Sequence, residues 1–226
     1  MPAVAALTLA HVGSLAPRSQ ALAARIAARP WAEEAYLAGS AALALYIGHR
    51  PVTDLDLMTA TNRLTGPERR DLLADLLALD PAAEVETARD GYLFARLGVG
   101  VGLRLFYYPY PLLDPYADLS GLAVASAVDL GLMKLAAIIS RGTRRDFVDL
   151  YLLCRELPLG ELLARAGDKF GHVRDFPLQA LKGLADLSET AGEPMPRLAF
   201  PLDWADVEAW LRAEVRQLGR EHVGLE

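Results

Sequence analysis

Residues 37–58, LAGSAALALYIGHRPVTDLDLM, decide how the rest of the chain is read. Gly39-Ser40 is followed by an unbroken small and apolar run to Ile47, then by Gly48. This pattern predicts a helix with Ser40 as N-cap, ended by Gly48 in a left-handed conformation. Residues 49–53 hold Pro51 and read as a loop. Residues 54–59 read as a strand. Side chains two apart on a strand share a face. Asp54 and Asp56 therefore lie on one face, and Leu55 and Leu57 anchor the other in the core. Two carboxylates so close repel one another unless a cation lies between them. Oxygen-only ligands on a rigid strand suit a hard ion, Mg²⁺ or alternatively Mn²⁺, that takes the rest of its shell from water and phosphate. The helix start before them offers N–H groups and a positive dipole end to phosphate oxygens. Gly39 lets the backbone approach closely and Ser40 adds a hydroxyl. Asp-Leu-Asp alone is usually structural, and Gly-Ser alone serves capping. Their joint occurrence is the equipment of phosphoryl or nucleotidyl transfer.

Outward from this stretch, residues 13–29 are Ala- and Leu-rich and predict a helix stopped by Pro30. Residues 34–37 predict a short strand. A helix follows Gly66-Pro67 to about Leu79. Residues 83–87, 92–97 and 99–108 predict strands, the first two joined by a turn at Arg89-Asp90-Gly91. Pro109, Pro111 and Pro115 make the next segment irregular. From about Ser126 the pattern turns helical, with segments at 128–140, 144–156, 159–170, 176–188 and 204–218. Thr143 reads as the N-cap of the second of these, and residues 191–201 as an extended connector. The expected class is α+β: a mixed sheet with flanking helices over residues 1–120, then a helical domain over 121–226 that completes a cleft.

The composition is that of a folded, water-soluble protein. Of 226 residues, 53% are hydrophobic and 23% charged, and the net charge is −6, so no global basic signature for nucleic acid exists. Cys154 is the single cysteine. It excludes an internal disulfide or a cysteine-rich zinc site and reads as a small apolar helix residue. The N-terminal apolar run lacks a preceding basic region, so no signal peptide is expected. No apolar run is long enough to span a bilayer. A cytoplasmic location without membrane contact is the expectation.

The helical half carries its own charged pattern. Lys134 lies among Leu130, Leu132, Met133, Leu135, Ile138 and Ile139, where an ammonium needs a partner or a site to face. Arg141 is seven residues on, on nearly the same helix face, and Arg144 and Arg145 follow at the next helix start. This cluster could bind a triphosphate or a nucleic-acid backbone. Asp146 suits the helix dipole, and Asp149 reads as a structural partner of Arg145 at i,i+4. In the loop before the aspartates, Arg50 could touch phosphate, and His49 reads as a surface histidine.

Gly39-Ser40 followed by TDLDL at residues 53–57 resembles the nucleotidyltransferase superfamily that includes polymerase beta. AGSAALALYIGHRPVTDLDL is similar to the AbiEii-type nucleotidyltransferase toxins of bacterial abortive-infection and toxin–antitoxin systems. DLGLMKLAAIISRGTRRDFVDLYLL at 129–153 and YYPYPLL at 107–113 extend the likeness over about residues 36–154. The resemblance implies Mg²⁺-dependent transfer of a nucleoside monophosphate from a nucleoside triphosphate to an acceptor hydroxyl, that of a tRNA 3′ end, with a separate antitoxin as protein partner. It implies Asp54 and Asp56 as metal ligands; Gly39, Ser40, Arg50, Arg141 and Arg144 as nucleotide-binding residues; and Lys134 and Asp146 beside the aspartates as catalytic residues. Transfer to a small molecule or protein, or nucleotide binding without turnover, are the alternatives. Many members of the superfamily take a third metal-binding carboxylate from a later strand. Here the matching segment, GVGLRLFYYPY, has Arg104 and no acid, while Glu84 and Glu86 alternate on a different strand.

Overall fold

The computed structural model describes residues 7–223. In it the aspartate-bearing strand sits inside a seven-stranded sheet, so both its neighbours bear on the site. The strands are β1 (Ala35–Ala38), β2 (Leu55–Thr59), β3 (Glu84–Arg89), β4 (Tyr92–Leu97), β5 (Val101–Tyr107), β6 (Ala117–Leu119) and β7 (Leu122–Val124). Their order across the sheet is β3-β4-β5-β2-β1-β7-β6. Strand β2 pairs antiparallel with β1 and parallel with β5, and β1 pairs parallel with β7, which makes the sheet mixed. Helices α1 (Pro17–Ala27), α2 (Gly39–Ile47) and α3 (Gly66–Leu79) belong to the same compact unit, Leu7–Ser126.

Local chemistry explains these elements. Helix α3 starts with a capping box, in which Glu68 accepts from the Thr65 amide at 3.0 Å, and Pro67 occupies its first turn. Asp75 on α3 accepts from the Trp31 indole at 2.7 Å and from Arg29, tying the helix to the segment entering β1. Helix α2 buries every residue from Ala41 to Tyr46, consistent with its lack of any charged residue. Gly48 ends it at φ 64°.

Several details differ from the sequence reading, the first being that β2 begins at Leu55 and leaves Asp54 just before it. Helix α1 begins at Pro17 rather than near Gly13, because Leu15 bridges Val52 and the Ala16 amide donates to the Val52 carbonyl. The N-cap of α2 is Ala38, and Ser40 lies inside the helix, because β1 remains paired through Ala38 and the chain turns at Gly39. Strands β6 and β7 have three residues each, too short to show a period. They are joined by a tight turn in which Ser120 and Gly121 have φ of 53° and 92°.

The second unit comprises the chain from Ala127 onward. Its helices are α4 (Ala127–Ser140), α5 (Arg144–Leu153), α6 (Leu159–Phe170), α7 (Phe176–Ala185) and α8 (Trp204–Val223). Helices α5 and α7 end earlier than expected, and α8 runs further. Helices α4 and α6 approach so closely that a side chain at Gly131 would meet Leu162 at 2.7 Å. Lys169 on α6 donates to Asp129 on α4 at 2.7 Å, with both side chains fully buried. Cys154 has its thiol pKa raised, first by burial and then by Glu214, as fits a packing residue. No described helix is long and apolar enough to cross a membrane.

Leu57 is fully buried on the face opposite the aspartates. Leu57→Ala should lower the unfolding free energy by about 2–5 kcal/mol, measured by urea denaturation, through lost transfer energy and a residual cavity.

Candidate active site

Asp54 lies immediately before β2 and Asp56 within it, and both carboxylates share a face, as the alternation implied, and meet Arg104 of β5 there. Their side chains are 41% and 27% exposed, while Leu55 and Leu57 are fully buried on the other face. Asp56 is paired with Ala38 of β1 on one side and with Arg104 of β5 on the other. The Arg104 guanidinium spans the two carboxylates, 3.2 Å from Asp54 Oδ2 and 3.3 Å from Asp56 Oδ1. Its central carbon lies 4.5 Å from the ring centre of Phe94, its cross-strand partner on β4. Partial burial opposes the charge of Arg104, yet Asp56 and Asp54 more than offset this and raise its pKa.

Two glycines make room for the pair. The Gly102 amide donates to Asp54 Oδ1 at 3.0 Å, and a side chain at Gly102 would come within 2.8 Å of that carboxylate. A side chain at Gly39 would meet Asp56 Oδ2 at 2.5 Å, and Gly39 has φ 60°. Glycine is thus required there twice over, by conformation and by space. The helix N-terminus is brought beside the acids by register: Ala38 pairs with Asp56, and α2 starts at the next residue. Gly102 escapes a reading by sequence alone, although a glycine within an apolar strand is a signal of close approach.

The loop between α2 and β2 is held in place. The Val52 amide donates to the Ser14 carbonyl at 2.8 Å, and Ser19 Oγ donates to the Thr53 carbonyl at 2.5 Å. His49 is fully buried in this loop, which corrects its reading as a surface residue; the pinned chain turns it inward. Arg50 is also buried, at 8% exposure.

The donor set can be tested against a divalent ion. Asp54 and Asp56 offer only oxygens, are partly open to solvent, and adjoin a helix N-terminus. Mg²⁺ is commonly held by one or two carboxylates, with phosphate and water completing the shell, and the pair fits that pattern. Among the described residues no group of three or more metal-binding side chains occurs. Glu84 and Glu86 are exposed on the edge strand β3, and Glu86 pairs with Arg96 at 2.8 Å.

In the second unit, the Lys134 ammonium lies 3.1 Å from Asp146 Oδ1 and 2.7 Å from Asp149 Oδ2, and all three side chains are buried. Asp149 thus faces Lys134 across the α4–α5 contact, whereas the sequence reading paired it with Arg145. Arg141 forks onto Asp146 at 2.8 and 2.9 Å, and Thr143 Oγ1 donates to the same carboxylate at 2.7 Å. Burial would raise the pKa of Asp146, but the Arg141 hydrogen bonds, the Lys134 charge and Thr143 hold it well below the usual carboxylate range. Arg141 is itself 62% exposed. Arg144 stacks over Trp204 at 4.8 Å and donates to the Thr190 carbonyl at 3.0 Å, fastening the start of α5 to the segment between α7 and α8.

Asp146 gives a pH test. A carboxyl whose folded pKa lies below its unfolded value of about 3.9 stabilises the fold fully above that value and loses its contribution as pH falls beneath it. Asp146→Asn should cost about 1–3 kcal/mol at neutral pH, because it loses charge-assisted hydrogen bonds from Arg141, Thr143 and Lys134 while Asp149 keeps Lys134 paired. Urea denaturation between pH 7 and pH 2 should show the variant losing less stability on acidification than the native chain.

Comparison with known proteins bears on this geometry. A solved structure of a "putative nucleotidyltransferase from H. pylori" superposes with a TM-score of 0.54 at 16% identity, over 93% of this chain and 99% of that one. This establishes a shared fold. JHP933 from Helicobacter pylori aligns with a TM-score of 0.47 at 14% identity, over 93% and 97% of the two chains. The Aquifex aeolicus (strain VF5) protein aq_aa25, which is uncharacterized, is 31% identical over 191 residues, 80% of this chain and 86% of that one. Residues 20–209 match the family model described as "Nucleotidyl transferase AbiEii toxin, Type IV TA system". That match takes in both carboxylates, both glycines beside them and the Lys134–Asp146 network, and the chain belongs to the AbiEii family of nucleotidyltransferase toxins of type IV toxin–antitoxin systems.

Proposed function

We propose that this nucleotidyltransferase takes a nucleoside triphosphate with Mg²⁺ and transfers the nucleoside monophosphate to the 3′ hydroxyl of a tRNA. In the reaction the acceptor hydroxyl releases its proton as its oxygen bonds to the α-phosphorus, the α–β anhydride bond breaks, and pyrophosphate leaves. One observation carries this reading: the register of β1 and β2 sets Asp56 beside the residue that opens α2. Two oxygen-ligand side chains and a set of helix-terminal N–H groups thereby adjoin, and a metal-bound triphosphate needs both.

The roles divide accordingly. Asp54 and Asp56 would hold the ion, whose chemistry is to neutralise phosphate charge and polarise the phosphorus–oxygen bonds. The amides at the start of α2, with Gly39 and the Ser40 hydroxyl, would receive phosphate oxygens. Arg50 lies in the loop after α2 and is buried. In the second unit Lys134 and Asp146 organise Arg141, the network member that reaches solvent and so the group suited to a phosphate or an RNA backbone. Arg144, clamped on Trp204, steadies that segment. Membership of a type IV toxin family supports a cognate antitoxin as the protein partner. The overall charge of −6 makes local cations the means of holding an RNA acceptor.

Transfer of each labelled nucleotide to tRNA, to a bulk RNA pool and to protein tests the reading. The native chain should label tRNA with Mg²⁺ present, and Asp54→Asn or Asp56→Asn should lower the rate by about a hundredfold or more. Undiminished transfer in both variants would remove the aspartates from the chemistry. Label appearing in protein alone would replace the acceptor.

A further inference from the structure

Arg104 stands out because it does two things at once. It is the cross-strand partner of Asp56, and its guanidinium bridges Asp54 and Asp56 together. It is also held from the other side. Phe94 lies under its face, and the β4–β5 pairing fixes Phe94 opposite it. A guanidinium set by aromatic stacking and by two carboxylates has lost much of its rotamer freedom before any ligand arrives. It stands on β5, the later strand next to the aspartates, where the resemblance implies a third acid.

We infer that Arg104 is a resident counter-cation of the carboxylate pair, and that it keeps the free protein from binding a divalent ion tightly. The inference rests on reading Asp54 and Asp56 as metal ligands. With Arg104 in place, two carboxylates and one guanidinium sum to a single negative charge. A third acid there would give three. A dication entering the free protein must displace the guanidinium from oxygens that it would itself use, and must also sit near a fixed positive charge. A nucleoside triphosphate changes this balance, because its phosphate oxygens offer both the ion and the guanidinium new acceptors. The consequence is an order of events in which the ion is retained only with the nucleotide. Arg104 is therefore a positioning residue of the site, and the pair accommodates one ion.

Binding of Mn²⁺ to the nucleotide-free protein, followed by the loss of the free-ion paramagnetic resonance signal, tests this without turnover. The native chain should show no binding tighter than the millimolar range. Arg104→Gln, with its fold checked by circular dichroism, should bind Mn²⁺ at least about tenfold more tightly, the scale expected when a unit cation is removed from a partly solvated dication site. Adding Asp56→Asn to Arg104→Gln should abolish the gain. Equal affinity in the native chain and Arg104→Gln would overturn the inference. Tight, micromolar Mn²⁺ binding by the native chain would overturn it with no variant needed, which covers the case in which Arg104→Gln fails to fold. If transfer activity is absent while the Mn²⁺ gain appears and needs Asp56, the proposed reaction fails and the counter-cation stands. If transfer is normal and the gain is missing, the reverse holds.

Discussion

Two carboxylates two residues apart, Asp54 just before β2 and Asp56 within it, repel each other, and much of the strand-containing unit is arranged around that fact. The repulsion is offset from several directions. Arg104 supplies a positive charge from β5, and the Gly102 amide supplies a hydrogen bond from the same strand. On the other side β1 delivers the start of α2 next to Asp56. None of this would exist if β2 lay at a sheet edge. The order β5-β2-β1 is what lets each neighbour contribute. The buried leucines on the opposite face supply the rigidity, since an anchored strand cannot rotate its acids apart.

Glycine placement follows from the same constraint. At Gly39 and Gly102 the missing side chain is space for a carboxylate. Both acids are therefore seated tightly against backbone while their oxygens remain partly open to solvent. A carboxylate that touches backbone on one side and water on the other is pre-oriented without being neutralised by burial. Metal ligands and phosphate-binding amides benefit from this kind of preorganisation, because little is left to reorganise when the substrate arrives.

What could be read from the sequence was local. Alternation exposed the Asp54–Asp56 pair, and Gly66-Pro67 marked the start of α3, whose capping box at Thr65 emerges only from the structure. Glycine at 48 fixed the end of α2. The apolar surroundings of Lys134 announced that it would need partners, and Asp146 is one of them. The pairing across strands was not legible, since register joins residues some fifty positions apart and no period in the chain encodes it. Arg104 was visible only as an acid that was missing, and its bridging role emerges from β2–β5 register. Asp149 was assigned to Arg145 because helix spacing permits that pair, but the packing of α5 on α4 gave it to Lys134. The short strands β6 and β7 were missed for a different reason: three residues carry too little alternation to be recognised.

The buried ion pairs of the second unit differ in kind from the partly exposed charges around Asp56. Lys169 with Asp129, and Lys134 with Asp146 and Asp149, are enclosed ion pairs between helices. Such pairs recover much of their own desolvation cost only when geometry is good, so their main effect is to specify which helix faces meet. Removing a partner leaves a stranded charge, and exchange with a ligand is correspondingly costly. Asp54, Asp56 and Arg104 hold one another at longer hydrogen-bond distances and in partial contact with water. Their mutual attraction is screened, so a polyvalent substrate can compete for each of them. The carboxylates of Asp54 and Asp56 and the guanidinium of Arg104 are therefore positioned yet open to exchange.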